Sequence, residues 1–327
     1  MSYDGKLLAR AKNLLDNARR ARETERTRRL NEVYSALPEI RRIDDEIRAN
    51  MANAVKCAML GNTDEISRAR AHSRTLQSKR ALTLVGGGFP ADYTDESFAC
   101  EKCRDTGYCC TEICSCLKAL YNEEQKKELS ALFKLGDETF DNFSLEWYDG
   151  IRRGEGGSTE RDIMETVYET CVNYARKFGE KSKNLFFTGG TGLGKTFLAA
   201  CIARVVAENG FSVVYDTAAA VFERFGEARF SRGDAEAHAD VRRYLTCDLL
   251  ILDDLGTELT NAFSVSALYE IINTRLCSGK KTLVTSNLTE SELASRYSPQ
   301  IASRITGEYH VLTFCGHDIR LQKKKLK

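Results

Sequence analysis

Gly189-Gly190-Thr191-Gly192-Leu193-Gly194-Lys195-Thr196 is the stretch whose reading decides the fold. It matches G-x-x-x-x-G-K-[ST], follows an apolar run, Leu185-Phe186-Phe187, and opens a helical stretch, Phe197–Ala207. Glycines let the backbone curl until several N–H groups point at one anion, and the helix N-terminus adds partial positive charge. In this pattern Lys195 reaches the β- and γ-phosphates of ATP, and the Thr196 hydroxyl takes Mg²⁺. A glycine-rich turn that binds nothing is the bland alternative, and the strand–loop–helix context argues against it.

Outward from this loop, short apolar runs alternate with helical stretches. Leu185–Thr188, Phe211–Tyr215, Leu249–Leu252, Thr282–Thr285 and Val311–Phe314 read as strands. Strands separated by helices predict an α/β fold with a parallel sheet covered on both faces. Leu249-Leu250-Ile251-Leu252 ends in Asp253-Asp254, which puts two carboxylates at the C-terminal end of a buried strand, where such sheets hold ligands. Asp253 is the expected acid on the Mg²⁺ side. Asp254 is placed to polarise the attacking water. It is one methylene shorter than Glu, which predicts slow hydrolysis.

Four further pieces carry a family likeness. Asp253-Asp254-Leu255-Gly256, Thr285-Ser286-Asn287-Leu288, Ser303-Arg304-Ile305 and Gly316-His317-Asp318-Ile319-Arg320 resemble the AAA+ ATPases of the DnaC/DnaI type, the loaders of the replicative helicase. Phe140-Asp141-Asn142-Phe143 resembles the segment that lies near the adenine in those proteins. The resemblance implies a P-loop AAA+ ATPase domain. It implies Asn287 as the sensor-1 polar residue near the γ-phosphate, Arg304 as an arginine finger acting on ATP in a neighbouring subunit, and Arg320 as the sensor-2 arginine. A planar, permanently charged guanidinium suits the charge that builds during phosphoryl transfer. A finger supplied in trans couples hydrolysis to assembly. Without the resemblance, Arg304 reads as a surface helix arginine, Asn287 as a strand-end cap and Arg320 as part of a basic flank. The likeness covers roughly Asp137 to Leu321.

Six of the 12 cysteines crowd into Cys100–Cys116. Cys100-x-x-Cys103 and Cys114-x-Cys116 flank a turn at Asp105-Thr106-Gly107-Tyr108. Two thiolate pairs joined by a short hairpin suit tetrahedral Zn²⁺. Cys109 or Cys110 could stand in for Cys114, and an iron–sulfur site or a redox pair would use the same residue types. The arrangement, with Leu117-Lys118 after it, also resembles the N-terminal zinc module of the DnaI-type loader, which extends the likeness to about Leu76–Leu321. The four histidines show no ligand spacing and read as structural.

The remaining chain sets the context. With 327 residues, 29% charged, 42% hydrophobic and only 3 prolines, the composition is globular and fits about two domains. No apolar run approaches a membrane span, and the Arg-rich start lacks the apolar centre of a secretory signal. The expected location is cytoplasmic, with the thiols reduced. Residues 1–85 hold 18 Lys/Arg against 11 Asp/Glu, a balance of +7; residues 86–320 hold 26 against 36, a balance of −10. The core is therefore no general cationic surface for nucleic acid. Within it, Phe222, Arg224, Phe225, Arg229, Phe230 and Arg232 interleave aromatics with arginines. That mix suits single-stranded DNA, and it equally suits an amphipathic helix with Phe in the core.

Residues 1–85 read as helix with an apolar stripe at Ile40, Ile43, Ile47, Met51, Ala54 and Ala58, broken at Gly61-Asn62-Thr63. A stripe this narrow predicts completion by a helix of another protein. Gly86–Pro90 and Gly150–Ser158 read as linkers, with a helix near Asn122–Leu135 between them. The expected domains are 1–85, a helical partner-binding arm; 86–136, a zinc-binding module; and 137–327, the ATPase domain. The resemblance implies ATP-dependent loading of a hexameric replicative helicase onto single-stranded DNA, with self-association through the ATPase domain and ATP, Mg²⁺ and Zn²⁺ as cofactors. The alternatives are an IstB-like transposition helper ATPase, or a nucleotide-dependent binding switch with negligible turnover.

Overall fold

Pro38 divides the N-terminal helical stretch. In the computed structural model, which describes residues 3–59, 62–132, 138–151, 157–230 and 235–325, α1 (Gly5–Ala36) stops before Leu37 and α2 (Pro38–Met59) starts at Pro38. Proline is at ease at a first helical position, where its missing N–H has no partner to lose. Helix α3 (Thr63–Gly86) packs along α2. A short antiparallel hairpin follows, β1 (Tyr108–Cys109) with β2 (Glu112–Ile113), and then α4 (Ser115–Leu132). Contacts group Lys12–Leu117 into one compact unit, and residues up to Ala11 with those from Lys118 onward into another. This grouping differs from the division at residues 85 and 136, because helical arm and cysteine hairpin fall into one unit while most of α4 falls with the sheet.

The apolar stripe of α2 does not await a partner along its whole length. Ile40 and Ile43 are buried with Val33, Leu76 and Leu84, and Ile47 packs against that cluster. The inward line then runs through Asn50, which donates to Ala69 O at 2.7 Å and Ser73 Oγ at 2.8 Å on α3, and reaches buried Cys57. Met51 and Ala58 face solvent instead. A 3.6-residue period rotates them off the buried line. Gly86–Pro90 is also not a linker. Gly87 N donates to Leu84 O, Phe89 N donates to Leu84 O, and Phe89 and Tyr93 pack on the Val33–Ile40 cluster. The helix expected near Asn122–Leu135 is α4, which begins at Ser115; residues 133–137, including the expected domain boundary at Asp137, lie outside the described residues, as do 152–156 of the Gly150–Ser158 stretch.

The second unit continues with α5 (Glu160–Arg176), β3 (Asn184–Thr188), α6 (Lys195–Glu208), β4 (Val213–Thr217), α7 (Ala218–Phe230), α8 (Ala235–Thr246) and β5 (Leu249–Leu255). After these come α9 (Ala262–Cys277), β6 (Lys281–Ser286), α10 (Glu290–Arg296), α11 (Pro299–Glu308), β7 (Tyr309–Thr313) and α12 (Ile319–Lys325). The strands form a parallel sheet in the order β4-β5-β6-β3-β7. All five expected strands are present, and β4 begins at Val213 rather than Phe211. Ser212 is held off the ladder by Asp248, which accepts from its N–H at 3.0 Å and its hydroxyl at 2.9 Å.

Alternation along each strand sorts the core into two layers. Leu185, Phe187, Leu249, Ile251 and Leu283 face α5 and α6; Phe186, Leu250, Leu252 and Val284 face α7, α9 and α11. Each large apolar side chain buried this way contributes about 1.5–3 kcal/mol. Covered faces leave only the strand ends open, and β3, β5 and β6 end side by side.

Candidate nucleotide site and cysteine cluster

Where β3 ends, the glycine loop begins. Gly189, Gly192 and Gly194 all have positive φ, and a Cβ at Gly192 would overlap the Asp318 carboxylate. Only glycine fits both the left-handed backbone and that close approach. Lys195, the first residue of α6, is 7% exposed. Its Nζ donates to Gly189 O at 2.6 Å, Gly190 O at 2.7 Å and Asn287 Oδ1 at 2.7 Å. Burial lowers the Lys195 pKa to about 8, against the pull of Asp254 and Asp253. The ammonium is thus held by neutral oxygens.

The acidic pair lies within β5, at an irregularity in the β5–β6 register between Leu252 and Leu255. There Asp254 adopts φ of 58°. Asp253 Oδ1 accepts from Thr196 Oγ at 3.2 Å and from Thr285 Oγ at 2.6 Å. Thr285 Oγ in turn accepts from Asp254 N at 2.9 Å. Asn287 Nδ2 donates to Asp254 Oδ1 at 3.3 Å, so Asn287 links the loop lysine to the second carboxylate. In the sequence Thr285 carries no signal of its own beyond its place in Thr285-Ser286-Asn287-Leu288. Its position, buried at the end of β6 next to β5, makes it the group that fixes both aspartates. The Glu258 carboxylate is engaged elsewhere, accepting from Tyr297 and the Gly256 amide.

These groups line one side of a cavity of about 660 Å³, with Phe143, Trp147 and Arg320 on its other walls. Phe143 stacks on Tyr168 at 5.4 Å, and Tyr148 donates to Leu193 O of the loop at 2.9 Å. Helix α12 closes this end: Gln322 Nε2 donates to Trp147 O at 3.2 Å, Lys323 Nζ lies 5.4 Å from the Trp147 ring centre, and Ile319 N donates to Gly192 O at 3.0 Å. The expected residues Gly190, Thr191, Leu193 and Gly194 belong to the same loop, and Thr191, Leu193 and Gly194 line the cavity.

Arg304 stands apart from this lining. On α11, its Nη1 donates to Asn273 Oδ1 at 2.5 Å and its Nη2 to Tyr269 Oη at 3.1 Å. The interleaved aromatics offered for DNA are largely core: Phe222 and Phe225 are buried, Arg224 pairs with Glu227 at 2.8 Å, and Arg229 lies over Phe263. Arg232 and the Phe230 side chain lie outside the described residues. The four histidines are exposed, not packed in the core.

In the other unit, Cys100, Cys103, Cys114 and Cys116 bring their sulfurs within 4.8 Å of one another. Cys109 and Cys110 are exposed and outside the group. The separations Cys100–Cys114, 3.7 Å, and Cys103–Cys116, 3.4 Å, are close to the edge of about 3.8 Å in a tetrahedron with 2.3 Å Zn–S bonds. The backbone N–H of Cys116 is the main cause that brings the Cys114 thiol down to about 6, against burial. Gly107 N points at Cys103 Sγ, at 3.4 Å. The donor set and its spacing fit a structural zinc ion. Asp105 braces the site. Burial opposes its ionisation, but the Cys100 and Ala99 amides and Arg22 outweigh that and hold its carboxyl below the ordinary range. It accepts from Cys100 N at 2.9 Å and Arg22 Nη2 at 2.7 Å.

Residues 172–327 match the profile of the family described as IstB-like ATP binding protein. Over 167 residues the chain is 23% identical to the replicative helicase loader DnaC of Buchnera aphidicola subsp. Acyrthosiphon pisum, covering 51% of this chain and 62% of that protein. It is 27% identical over 137 residues to the replicative helicase loader DnaI of Bacillus subtilis, covering 40% and 42%. The chain thus spans about three-fifths of the first relative's length. Among solved structures, the DnaC helicase loader aligns with 54% of this chain and 98% of its own at 22% identity and a TM-score of 0.44. No helix among the described residues is long and apolar enough to cross a membrane.

Proposed function

We propose that residues 172–327, an IstB-like ATP-binding domain, bind and hydrolyse ATP with Mg²⁺, and that the whole chain uses this cycle to load a ring-shaped replicative helicase onto single-stranded DNA. The observation that carries the ATP part is the linked set Lys195–Asn287–Asp254 and Thr196–Asp253–Thr285 at the mouth of the 660 Å³ cavity. Thr196 and Asp253 would hold Mg²⁺, which offsets charge on the phosphates. Lys195 and Arg320 bind the phosphates, Asp254 accepts a proton from the attacking water, and Asn287 orients that carboxylate. Arg304, turned away from its own cavity, acts on ATP held by a second copy. Helicase loading is supported by the names of the relatives and by the cysteine module. A transposition helper shares the ATP chemistry and is favoured by the family description and by relatives named as insertion-sequence ATP-binding proteins.

The experiment is capture of a replicative helicase ring by the full chain, with ATP turnover read with and without single-stranded DNA. ATP-dependent capture and release is the expected result. Turnover without capture turns the reading to the transposition helper, and capture that responds to ATP without turnover turns it to a binding switch. Asp254→Asn separates binding from chemistry. Asn tolerates the left-handed conformation of Asp254, so ATP affinity should hold while turnover falls about 10²- to 10⁴-fold, the usual contribution of a general base. Turnover at the wild-type rate would move the role to another carboxylate lining the cavity, Glu138.

A further inference from the structure

Arg304 has a seat of its own. Helix α9 places Tyr269 and Asn273 four residues apart, hence on one face. The Arg304 guanidinium lies 5.0 Å from the Tyr269 ring centre, with Nη2 3.1 Å from the Tyr269 hydroxyl and Nη1 2.5 Å from Asn273 Oδ1. Tyr269 is 39% exposed, so part of the ring stays open to solvent. Among the described residues no ion pair involves Arg304. Its hydrogen-bond partners and the ring it meets among the described residues are neutral.

We infer that Tyr269 and Asn273 are positioning residues that hold Arg304 extended and correctly aimed for the phosphates of ATP in a neighbouring copy. The inference rests on the in-trans role proposed above for Arg304. A guanidinium has five N–H donors; two are engaged here, and three remain for phosphoryl oxygens. A long arginine side chain loses rotamer freedom when a binding event immobilises it. A seat on α9 settles that cost before the subunits meet. Neutral partners are the right kind for the task. A carboxylate at the same place would neutralise the finger and compete with the phosphate. The ring face and amide oxygen align the guanidinium while leaving its charge intact.

The test must distinguish aim from fold, and side-specific complementation does so. Full-length Arg304→Ala keeps a pocket but no finger; full-length Lys195→Ala keeps a finger but no working pocket. Mixing them should restore turnover. Tyr269→Ala with Asn273→Ala, placed on the Lys195→Ala finger donor, should cut the restored kcat roughly 10- to 100-fold, the scale of a misplaced catalytic group. The KM for ATP should not change. The same pair placed on the Arg304→Ala pocket donor should leave restoration intact. Tyr269→Phe on the finger donor, which keeps the ring and loses the hydroxyl, should give an intermediate loss. A defect that follows the α9 changes whichever copy carries them means a merely structural contact and overturns the inference. So does full restoration by the altered finger donor. If Lys195→Ala restores nothing even with α9 unaltered, the in-trans reading itself falls, and the positioning role falls with it.

Discussion

Lys195→Ala is expected to weaken ATP binding about 10²- to 10⁴-fold while the sheet and its helices stay folded. In the free protein the ammonium donates to two loop carbonyls and to Asn287, none of them charged. Burial works against its charge and brings its pKa to about 8. Phosphate oxygens would replace neutral acceptors with anionic ones beside a buried ammonium. Hydrogen bonds to charged groups contribute roughly 1.5–3 kcal/mol each, so two of them amount to about 3–6 kcal/mol. At 1.4 kcal/mol per decade this is the stated range. The fold should survive, because the alanine continues α6 and the freed carbonyls belong to half-buried Gly189 and exposed Gly190, where water can reach them. Trp147 is the sole tryptophan of the chain and lines the same cavity, so its fluorescence reports the titration without a label. An affinity within threefold of wild type would remove the phosphate role from this loop.

The parts of this site that were legible share one property: their signal is local. The glycine loop, the apolar run ending in Asp253-Asp254 and the paired cysteines each lie within a few residues, and each sits where the sequence puts it. What was not legible depends on pairing across the chain. Thr285 fixes both aspartates only because β6 lies beside β5 and the register breaks between Leu252 and Leu255. Nothing near residue 285 announces this. Periodicity gives α2 an apolar stripe but not its cover, which Leu76 and Leu84 supply from α3, far along the chain. The same limit governs Phe222 and Phe225. An aromatic–basic alternation serves a nucleic acid or a helix on a sheet equally well, and here the sheet takes the aromatic face. The arginine-finger reading came from resemblance, and its seat on Tyr269 and Asn273 could be found only in three dimensions.

Removing the metal should have the largest structural effect, and it should be confined to one unit. One zinc per chain is expected, held by Cys100, Cys103, Cys114 and Cys116. The hairpin between the two cysteine pairs has strands of two residues each, and an isolated hairpin of any length is marginal in water. Its apolar support is small: Gly107 packs against Leu15 and Leu117, and Asp105 with Arg22 supplies one partly buried ion pair at 2.7 Å. Four thiols this close cannot all ionise without a cation, since each thiolate repels the next. Structural zinc contributes an apparent 10–16 kcal/mol in small zinc-folded peptides, far more than these contacts, so chelation or Cys100→Ser should unfold residues 96–117. The sheet should persist, because its core of Leu185, Phe187, Ile251 and their neighbours draws on none of the cysteine hairpin. Amide exchange after chelation should therefore rise across 96–117 and stay slow in β3, β5 and β6, with the ATP affinity retained. Cys109→Ser should change neither metal content nor exchange, as that thiol is exposed and outside the group. Iron in place of zinc, no metal in freshly reduced protein, or slow exchange across 96–117 after chelation would each show that the four sulfurs meet for another reason.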